Sequence, residues 1–256
     1  MFNNKTIVIT GAASGIGYAT ANVFLENGGF VVIADISERE GKEAEANLCK
    51  TFRERCMFIK TDTSKEEDIE NMIKKTVKQF GEISVLVNGA AKFIMKGIEA
   101  TPSDWEKICK VNIAGYALCA KHCVPSMIKA GKGSIVNICS ISAFIAQPNF
   151  VTYAATKGAV ASMTRCMALD LAKHNIRVNA INPGTVWTES NEKFHREVLN
   201  MSRTEADKSP DIGGAHILKR TADPCEIAEV ILFLSSERSS YITASNVMVD
   251  GGYTAI

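Results

Sequence analysis

Short apolar runs that alternate with charged, helix-favouring stretches are the feature that most constrains the fold of this chain. The runs occupy residues 6–10, 30–34, 56–60, 83–88, 133–138, 176–182 and 246–250. Each is apolar almost throughout, which is typical of strands covered by helices on both faces. The repeated strand–helix–strand order therefore predicts an α/β fold, with about seven strands in one doubly wound parallel sheet and helices on both faces.

The organisation along the chain predicts a single domain over residues 1–256, because no change of composition divides it. Residues 64–80 predict a helix that Ser64 caps, with Glu67 three residues on, and that ends before Gly81. The least regular part is 185–222, which interrupts the alternation. It is either an ordinary long loop or a mobile lid, and we expect a substrate lid.

Composition excludes several functional classes. The net charge of +1 gives no basic footprint for nucleic acid or an anionic membrane. No uncharged run reaches the roughly 18 residues of a spanning helix, and the start resembles no signal peptide, so we expect a cytoplasmic protein. The eight cysteines include no CxxC pair, which favours buried free thiols over disulfides or a zinc site. No metal is expected.

The segment "TGAASGIG", residues 10–17, follows the first apolar run and opens a helical stretch. Gly11 allows a tight turn, Gly15 lets the main chain approach a diphosphate, and Gly17 lets the helix pack close to the strand. The helix N-terminus offers free N–H groups to phosphates. A glycine-rich turn without a ligand is the alternative, but the position between strand and helix favours a Rossmann-type dinucleotide site.

The second apolar run leads to Asp35, where an acid accepts hydrogen bonds from the adenosine ribose hydroxyls. It also repels a 2′-phosphate: two unit charges ~4 Å apart at an effective dielectric of ~20 interact by about 4 kcal/mol. That corresponds to roughly a thousandfold in affinity. Arg39 is the candidate cation to compensate for this repulsion, and the neighbouring Glu38 opposes it. The sequence therefore predicts NAD rather than NADP as cofactor.

With these residues in place, nearly the whole chain resembles the short-chain dehydrogenase/reductase family. The spacing Gly11-x3-Gly15-x-Gly17 is similar to its dinucleotide loop, and "TDT" at 61–63 resembles its adenine contact. "VNGAA" at 87–91 resembles the NNAG segment, with departures at Gly89 and Ala91. "NPGTVWT" at 182–188 and "VDGG" at 249–252 resemble its later motifs.

The same resemblance implies a catalytic set of Asn112, Ser140, Tyr153 and Lys157, with Ser140 thirteen residues before Tyr153. Alone, "VTYAATKGAV" (151–160) reads equally well as a packed helix with two polar tips. A free tyrosine has a pKa of about 10, too high for a base near pH 7. Lys157 lies one helical turn on, where its charge, together with that of the oxidised nicotinamide ring, is expected to lower that pKa. Asn112 is expected to hold a water.

Taken together, the motifs and the resemblance predict the residues that bind the cofactor: Gly11, Ser14, Gly15, Ile16, Gly17, Asp35, Ile36, Asp62, Thr63, Asn88, Ala90, Tyr153, Lys157, Pro183, Gly184, Val186 and Thr188. The uncharged segment between Ser140 and Tyr153 predicts that Ser142, Gln147 and Phe150 line a substrate pocket. No histidine falls on a motif, and His195 is expected to be exposed.

The resulting functional prediction is an NAD-dependent oxidoreductase that interconverts a secondary alcohol and a ketone, with Tyr153 as acid/base. The substrate is expected to be a small or medium hydroxy compound, such as a sugar-acid, cyclitol, hydroxy acid or dihydrodiol. A ketoacyl reductase that uses NADPH and a non-catalytic dinucleotide sensor remain as alternatives. The resemblance also implies a homotetramer, for which the apolar positions of 105–130 and 152–174 suit a helix-pair interface.

Overall fold

The computed structural model describes residues 1–256. Seven strands form one sheet, and every neighbouring pair is parallel, in the order β3-β2-β1-β4-β5-β6-β7. The strands are β1 Thr6–Thr10, β2 Phe30–Asp35, β3 Cys56–Lys60, β4 Ile83–Asn88, β5 Gly133–Ile138, β6 Ile176–Pro183 and β7 Asn246–Val249. The predicted doubly wound sheet is confirmed, and no strand end differs from the predicted run by more than one residue.

Helices cover both faces of this sheet. They are α1 Gly15–Glu26, α2 Glu38–Phe52, α3 Glu66–Phe80, α4 Pro102–Cys109, α5 Tyr116–Lys129, α6 Val151–Leu171, α7 Glu189–Glu197, α8 Arg203–Lys208 and α9 Pro224–Ser235, and a π-helical segment, Lys110–Gly115, joins α4 to α5. Within β1, Ile7 and Ile9 belong to one apolar cluster and Val8 to the other. The alternation shows why the strand is apolar throughout. None of the helices has the length and apolarity needed to cross a membrane.

The start of α3 differs from the prediction. The helix begins at Glu66 with Lys65 as its N-cap, and no side chain caps it. Ser64 instead donates from its main-chain N–H and its hydroxyl to Asp62 Oδ1, at 3.0 and 2.7 Å. The aspartate turn outcompetes the helix cap for this serine. The end before Gly81 is confirmed.

Residues 185–222 contain ordered secondary structure, α7 and α8, where the sequence showed no regular pattern. Thr188 caps α7 by accepting the Asn191 N–H at 3.2 Å. Asp207 Oδ1 accepts both the main-chain N–H of Thr221 at 2.8 Å and its hydroxyl at 2.7 Å. The segment is thus braced by its own side chains, and its role as a substrate lid remains a prediction.

The cysteines are all free thiols, but only part of the prediction for them is right. Cys56, Cys119, Cys123 and Cys139 are buried, as expected. Cys166 and Cys225 are exposed, and Cys49 and Cys109 are half-buried. The second group lies on α2, α4, α6 and α9, each of which has a solvent-facing side, so helical position leaves these thiols partly or fully exposed.

Gly17 gives a direct test of the close packing between α1 and the turn before it. A Cβ at this position would lie 2.1 Å from the Gly11 carbonyl oxygen. Gly17→Ala should therefore lower the free energy of unfolding by about 1–3 kcal/mol, measured by urea denaturation. The control is Gly158→Ala in α6, whose Cβ would have nothing within 4 Å. That variant should gain roughly 0.5–1 kcal/mol, and equal effects in the two variants would contradict the packing argument.

Candidate active site

The carboxyl ends of the parallel strands meet at one edge of the sheet. The strand order reverses between β1 and β4, so the connections after these two strands leave in opposite directions. A crevice at such a point is where doubly wound sheets bind ligands. The predicted motifs follow strands at this same edge, which places them around one crevice.

The loop after β4 is pressed against the end of β1. Thr10 Oγ1 accepts the main-chain N–H groups of Gly89 at 3.0 Å and Ala90 at 3.2 Å. A Cβ on Gly89 would lie 2.7 Å from the Thr10 carbonyl oxygen. Gly89, which departs from the family's NNAG pattern, therefore suits this close approach, and Thr10 supplies the bracing.

The glycine turn after β1 is suited to a diphosphate. Gly15 adopts a φ of +54°, and α1 starts with no side-chain cap and no acidic residue in its first turn. Its first amide groups are thus not satisfied from within the helix. Asp35 lies beside the turn, since its Oδ2 accepts the Ala13 N–H at 3.1 Å while Oδ1 accepts the Ser37 N–H at 3.0 Å. These residues fit a dinucleotide, with the turn for the phosphates and the carboxylate for the ribose.

The cations nearest the end of β2 are paired with acids. Glu38 forms ion pairs with Lys42 at 2.7 Å and with Lys60 at 3.2 Å. Arg39 lies 3.4 Å from Glu43, one turn further along α2. The predicted opposition of Glu38 to Arg39 is therefore replaced by a different arrangement, in which Glu43 holds the arginine and Glu38 holds two lysines.

A carboxylate from the 185–222 segment reaches the glycine turn. The main-chain N–H of Gly15 donates to Glu189 Oε2 at 3.1 Å. A Cβ on Gly15 would lie 3.1 Å from Thr188 Cγ2, so the start of α7 packs directly on the turn. Sequence reasoning missed Glu189, although an acid directly after Thr188 at a helix start was a visible signal. Its charge sits at an N–H group that suits a phosphate oxygen.

Tyr153, Lys157 and Ser140 are brought together where α6 passes the end of β5. Tyr153 and Lys157 are both buried. Lys157 Nζ donates to the Ile138 carbonyl oxygen at 2.7 Å and lies 5.6 Å from the centre of the Tyr153 ring. The Ser140 side chain lies near enough to the Tyr153 phenol to act on its pKa. The three predicted side chains therefore form one cluster.

Burial governs the protonation of this cluster, which corrects the expectation that Lys157 lowers the pKa of the phenol. Burial raises the pKa of Tyr153 above its ordinary value, and the Ser140 side chain only partly opposes this rise. Burial also lowers the pKa of Lys157 to about 8. The ammonium group is held by a strand carbonyl and is itself desolvated, so it does not outweigh the burial of the phenol. In this arrangement the phenol carries its proton at neutral pH.

Asn112 is wholly buried in the π-helical segment. Its Oδ1 accepts the Lys92 N–H at 2.7 Å, and its Nδ2 donates to the Lys92 carbonyl at 3.1 Å and to Thr156 Oγ1 at 3.2 Å. The amide thus ties the loop after β4 to α6. Because these contacts occupy the side chain, its predicted role in holding a water would fall to its main chain.

The side chain of Asn88 does not face the crevice, and its expected cofactor contact stays a prediction for its main chain. It is wholly buried, and its Nδ2 donates to Asn137 Oδ1 at 2.9 Å and to the Tyr116 carbonyl at 3.3 Å. Asn137 in turn donates to Thr164 Oγ1 at 2.9 Å. A chain of buried amides therefore links β4 through β5 to α6, and only the main chain of Asn88 is left for a dinucleotide.

The remaining predicted cofactor residues lie in the connections at the same edge. They are Ser14 and Ile16 at the glycine turn, Ile36 after β2, Asp62 and Thr63 after β3, Ala90 after β4, and Pro183, Gly184, Val186 and Thr188 at and after the end of β6. Asp62 Oδ1 is engaged by Ser64, and Val186 is buried. Their contacts with a cofactor stay predictions.

One of the predicted substrate-lining residues contacts the tyrosine, and the other two extend from Ser140. Ser142 donates to Gln147 Oε1 at 2.6 Å and accepts from Ser140 at 3.2 Å, so the three polar side chains form one hydrogen-bonded row. The Phe150 ring lies edge-on to Tyr153, with ring centres 6.1 Å apart. The role of Ser142, Gln147 and Phe150 in a substrate pocket stays a prediction.

Phe93 is a neighbour of the tyrosine that sequence reasoning missed. Its ring stacks on Tyr153 with centres 5.4 Å apart and planes 23° apart. Nevertheless 64% of its surface remains exposed. An exposed aromatic side chain that covers the acid/base candidate forms an apolar wall of the crevice.

His195 is buried, although the sequence predicted it to be exposed. Its Nδ1 lies 2.7 Å from the Asn191 carbonyl oxygen, and its ring packs 5.0 Å from Trp187. The histidine holds α7 onto the segment before it. The prediction was wrong because the side chain that covers His195, Trp187, lies before α7 and therefore outside the helical pattern of the segment.

A cavity of about 730 Å³ lies away from this site, at the amino ends of the strands, and is lined in part by Lys5, Ser84, Gly133 and Arg177. The strand-end crevice is singled out by chemistry instead, since the glycine turn, the buried tyrosine–lysine pair and Asp35 all meet there.

Comparison with known proteins decides the family. The family model described as enoyl-(acyl carrier protein) reductase matches residues 11–254. A cis-4-hydroxycyclohexanecarboxylate dehydrogenase of Sinomonas cyclohexanicum is 34% identical over 100% of this chain and 98% of its own length. An NAD-dependent glycerol dehydrogenase of Listeria innocua is 35% identical over 98% of this chain and 94% of its own.

The chain belongs to the short-chain dehydrogenase/reductase family. The solved structure of ElxO with NADP bound is similar to this member of the family, with a TM-score of 0.89 and 31% identity over 98% of this chain and 99% of that one. The protein is therefore an oxidoreductase that acts on CH–OH groups and binds a nicotinamide dinucleotide.

The Glu189 contact predicts a competition at the glycine turn. Glu189→Gln keeps the shape of the side chain but removes the charge that faces the phosphate-binding amides. A charge-assisted hydrogen bond is stronger than a neutral one by about 1 kcal/mol, so ADP and NADH should bind roughly fivefold more tightly. Calorimetric titration measures both. Glu192→Gln, on the same helix and paired with Arg196, should leave the affinities unchanged. Unaltered ADP affinity in Glu189→Gln would contradict the competition.

Proposed function

We propose that the protein is an NAD-dependent dehydrogenase that interconverts a secondary alcohol and a ketone on a small or medium hydroxy compound of sugar-acid, cyclitol, hydroxy acid or dihydrodiol type. The observation that carries this proposal is the buried Tyr153 at the strand-end crevice, with the centre of its ring 5.6 Å from Lys157 Nζ and with Ser140 near its phenol. The names of the two curated relatives support an alcohol substrate.

The chain's own residues handle one proton and one oxygen. Tyr153 gives the proton to the carbonyl oxygen in reduction and takes it from the hydroxyl in oxidation. Ser140 hydrogen-bonds the same substrate oxygen and orients it. Lys157, fixed by the Ile138 carbonyl, supplies positive charge below the tyrosine. Each role follows from the position of its polar atom in the cluster.

Oxidation requires the phenol to ionise, which burial opposes. When bound, the oxidised nicotinamide supplies the carbon that accepts the hydride and a positive charge. Lowering the pKa of Tyr153 by ~3 units takes about 4 kcal/mol of differential stabilisation. Without this stabilisation of the phenolate the Tyr153 phenol keeps its proton. It can therefore donate that proton in reduction, whereas oxidation requires a further positive charge near the phenol.

Asp35 supports NAD as the cofactor. Its carboxylate is anchored to the Ala13 and Ser37 amides, so it cannot swing away from a 2′-phosphate without losing both bonds. The lysines and the arginine nearby are engaged with Glu38 and Glu43. The NADP in the ElxO structure is a property of that protein. In this chain, Asp35 at the end of β2 is the feature that favours NAD over NADP.

Two alternatives remain. The description of the matching family model names an acyl carrier protein reductase, and a ketoacyl reductase would use NADPH, which Asp35 disfavours. A non-catalytic dinucleotide sensor would need no acid/base pair, yet Tyr153 and Lys157 are both present and in place. Dinucleotide binding without turnover across a panel of polyols, hydroxy acids and dihydrodiols would favour the sensor.

The substrate side combines apolar rings with a short polar row. Phe93 and Phe150 stand against Tyr153, and Ser142 and Gln147 offer a hydroxyl and an amide. Such a lining suits a compact carbon skeleton with one or two polar groups. The homotetramer, the cytoplasmic location and the absence of nucleic-acid and membrane partners stay predictions of the sequence.

Tyr153→Phe tests the proposed chemistry. The variant keeps the ring that stacks on Phe93 but loses the transferable proton, so NADH affinity should stay within about twofold while turnover falls by 10³-fold or more. Fluorescence titration and initial rates measure the two quantities. Tyr116→Phe removes another buried hydroxyl, 3.1 Å from the Ile138 carbonyl, and should retain most turnover. Substantial activity in Tyr153→Phe would exclude Tyr153 as the acid/base.

Asp35→Ala tests the cofactor preference. Loss of the carboxylate removes the repulsion of a 2′-phosphate, so the ratio of kcat/KM for NADP to that for NAD should rise by 10²-fold or more. The ratio cancels any damage to the glycine turn that affects both cofactors alike. Glu229→Ala, which removes an exposed acid on α9, should leave the ratio unchanged. The proposal fails if kcat/KM of the wild-type protein with NADP equals or exceeds that with NAD.

A further inference from the structure

Two cysteines away from the candidate active site lie in direct contact. Cys49 stands in the last turn of α2, and Cys56 is the first residue of β3. Their sulfur atoms are 3.3 Å apart. The dehydrogenase chemistry uses neither thiol, and the pair joins two elements that meet at the outer edge of the sheet.

We propose that Cys49 and Cys56 form a redox-active dithiol that closes to a disulfide and fastens the edge strand β3 to α2. The sulfurs of a disulfide are about 2.05 Å apart, so these two must approach by about 1.3 Å. The chain between them, residues 50–55, already makes the turn that the bond would close. The closed form therefore keeps the present path of the main chain.

The two thiols differ in access, which sets the order of reaction. Cys49 is half-buried, whereas Cys56 is buried. Burial of Cys56, its hydrogen bond with Cys49 and the nearby Glu45 carboxylate raise the pKa of the Cys56 thiol. A small-molecule oxidant thus meets Cys49 first, and Cys56 acts as the resolving thiol.

With oxidised glutathione as the oxidant, the exchange balances in two steps. The Cys49 thiolate attacks one glutathione sulfur, forms a mixed disulfide and releases one glutathione thiolate. The Cys56 thiolate then attacks the Cys49 sulfur and releases the second glutathione. The two protein thiols lose two electrons and two protons, and the glutathione disulfide becomes two glutathione thiols.

The position of the pair indicates what the bond changes. β3 pairs only with β2 and so ends the sheet, where an exposed strand edge is a liability. Hydrogen bonds of α2 side chains already tie it to α2, from the Phe58 N–H to Glu45 Oε1 at 2.9 Å and from Lys60 Nζ to Glu38 Oε2 at 3.2 Å. The pair lies at the amino end of β3, opposite the crevice. Oxidation should therefore stabilise the edge and leave turnover nearly unchanged.

Peptide mapping of the full chain tests the proposal. The protein is incubated with oxidised glutathione, the free thiols are blocked with N-ethylmaleimide, and the protein is digested with trypsin. Cleavage at Lys50, Arg53 and Arg55 separates the cysteines, so the disulfide appears as residues 43–50 linked to residues 56–60. The linked species should form and disappear with dithiothreitol, and the Tm should rise by about 5 °C on oxidation.

Single variants separate the two roles. Cys56→Ser should trap glutathione on Cys49, and Cys49→Ser should leave Cys56 free. A Cys166→Ser, Cys225→Ser double variant, which removes the exposed thiols, should still form the link. Glutathione on Cys166 and Cys225 while Cys49 and Cys56 remain alkylatable would overturn the proposal, and so would a mixed disulfide on Cys49 that never closes in the wild-type protein.

Discussion

The contact between the end of β1 and the loop after β4 is the constraint on which the rest of the site depends. One hydroxyl, Thr10 Oγ1, receives two main-chain N–H groups, and Gly89 has no room for a side chain. The strand order reverses at this contact. The distance between Thr10 and the loop after β4 therefore determines how far the dinucleotide turn lies from the segment that leads to Phe93. A small displacement here would separate the cofactor half of the crevice from the substrate half.

A second set of interactions fixes the acid/base pair relative to that contact. The amides of Asn88 and Asn137 and the hydroxyl of Thr164 form a buried chain from β4 to α6. Lys157 is bound to the end of β5, and Asn112 ties α6 to the loop after β4. Buried polar chains of this kind specify one register, because any shift leaves amides unpaired. The position of Tyr153 therefore depends on buried hydrogen bonds that hold α6 to the sheet, and not on contacts at the exposed side of α6.

The sequence predicted the elements far better than the partners of individual side chains. Strand positions and the glycine turn depend on local pattern, and they agree with the structure to within a residue. The targets of Asn88 and Asn112, the burial of His195 and the Glu189 contact depend on tertiary packing. Gly15 and Glu189 are 174 residues apart in the chain, so no local pattern relates them. The pKa of Tyr153 was expected to fall because sequence shows the nearby lysine but not the burial of both groups.

The self-bracing of residues 185–222 has a consequence for how such a protein can change. Asp207 and Thr221 hold the segment by its own side chains, while Glu189 connects it to the glycine turn through a single carboxylate. The proton-handling cluster is anchored separately in the sheet and α6. The two parts are thus held by separate sets of interactions. If the segment is the substrate lid that the sequence predicts, exchanging it between relatives would alter which molecule is admitted without moving Tyr153 and Lys157.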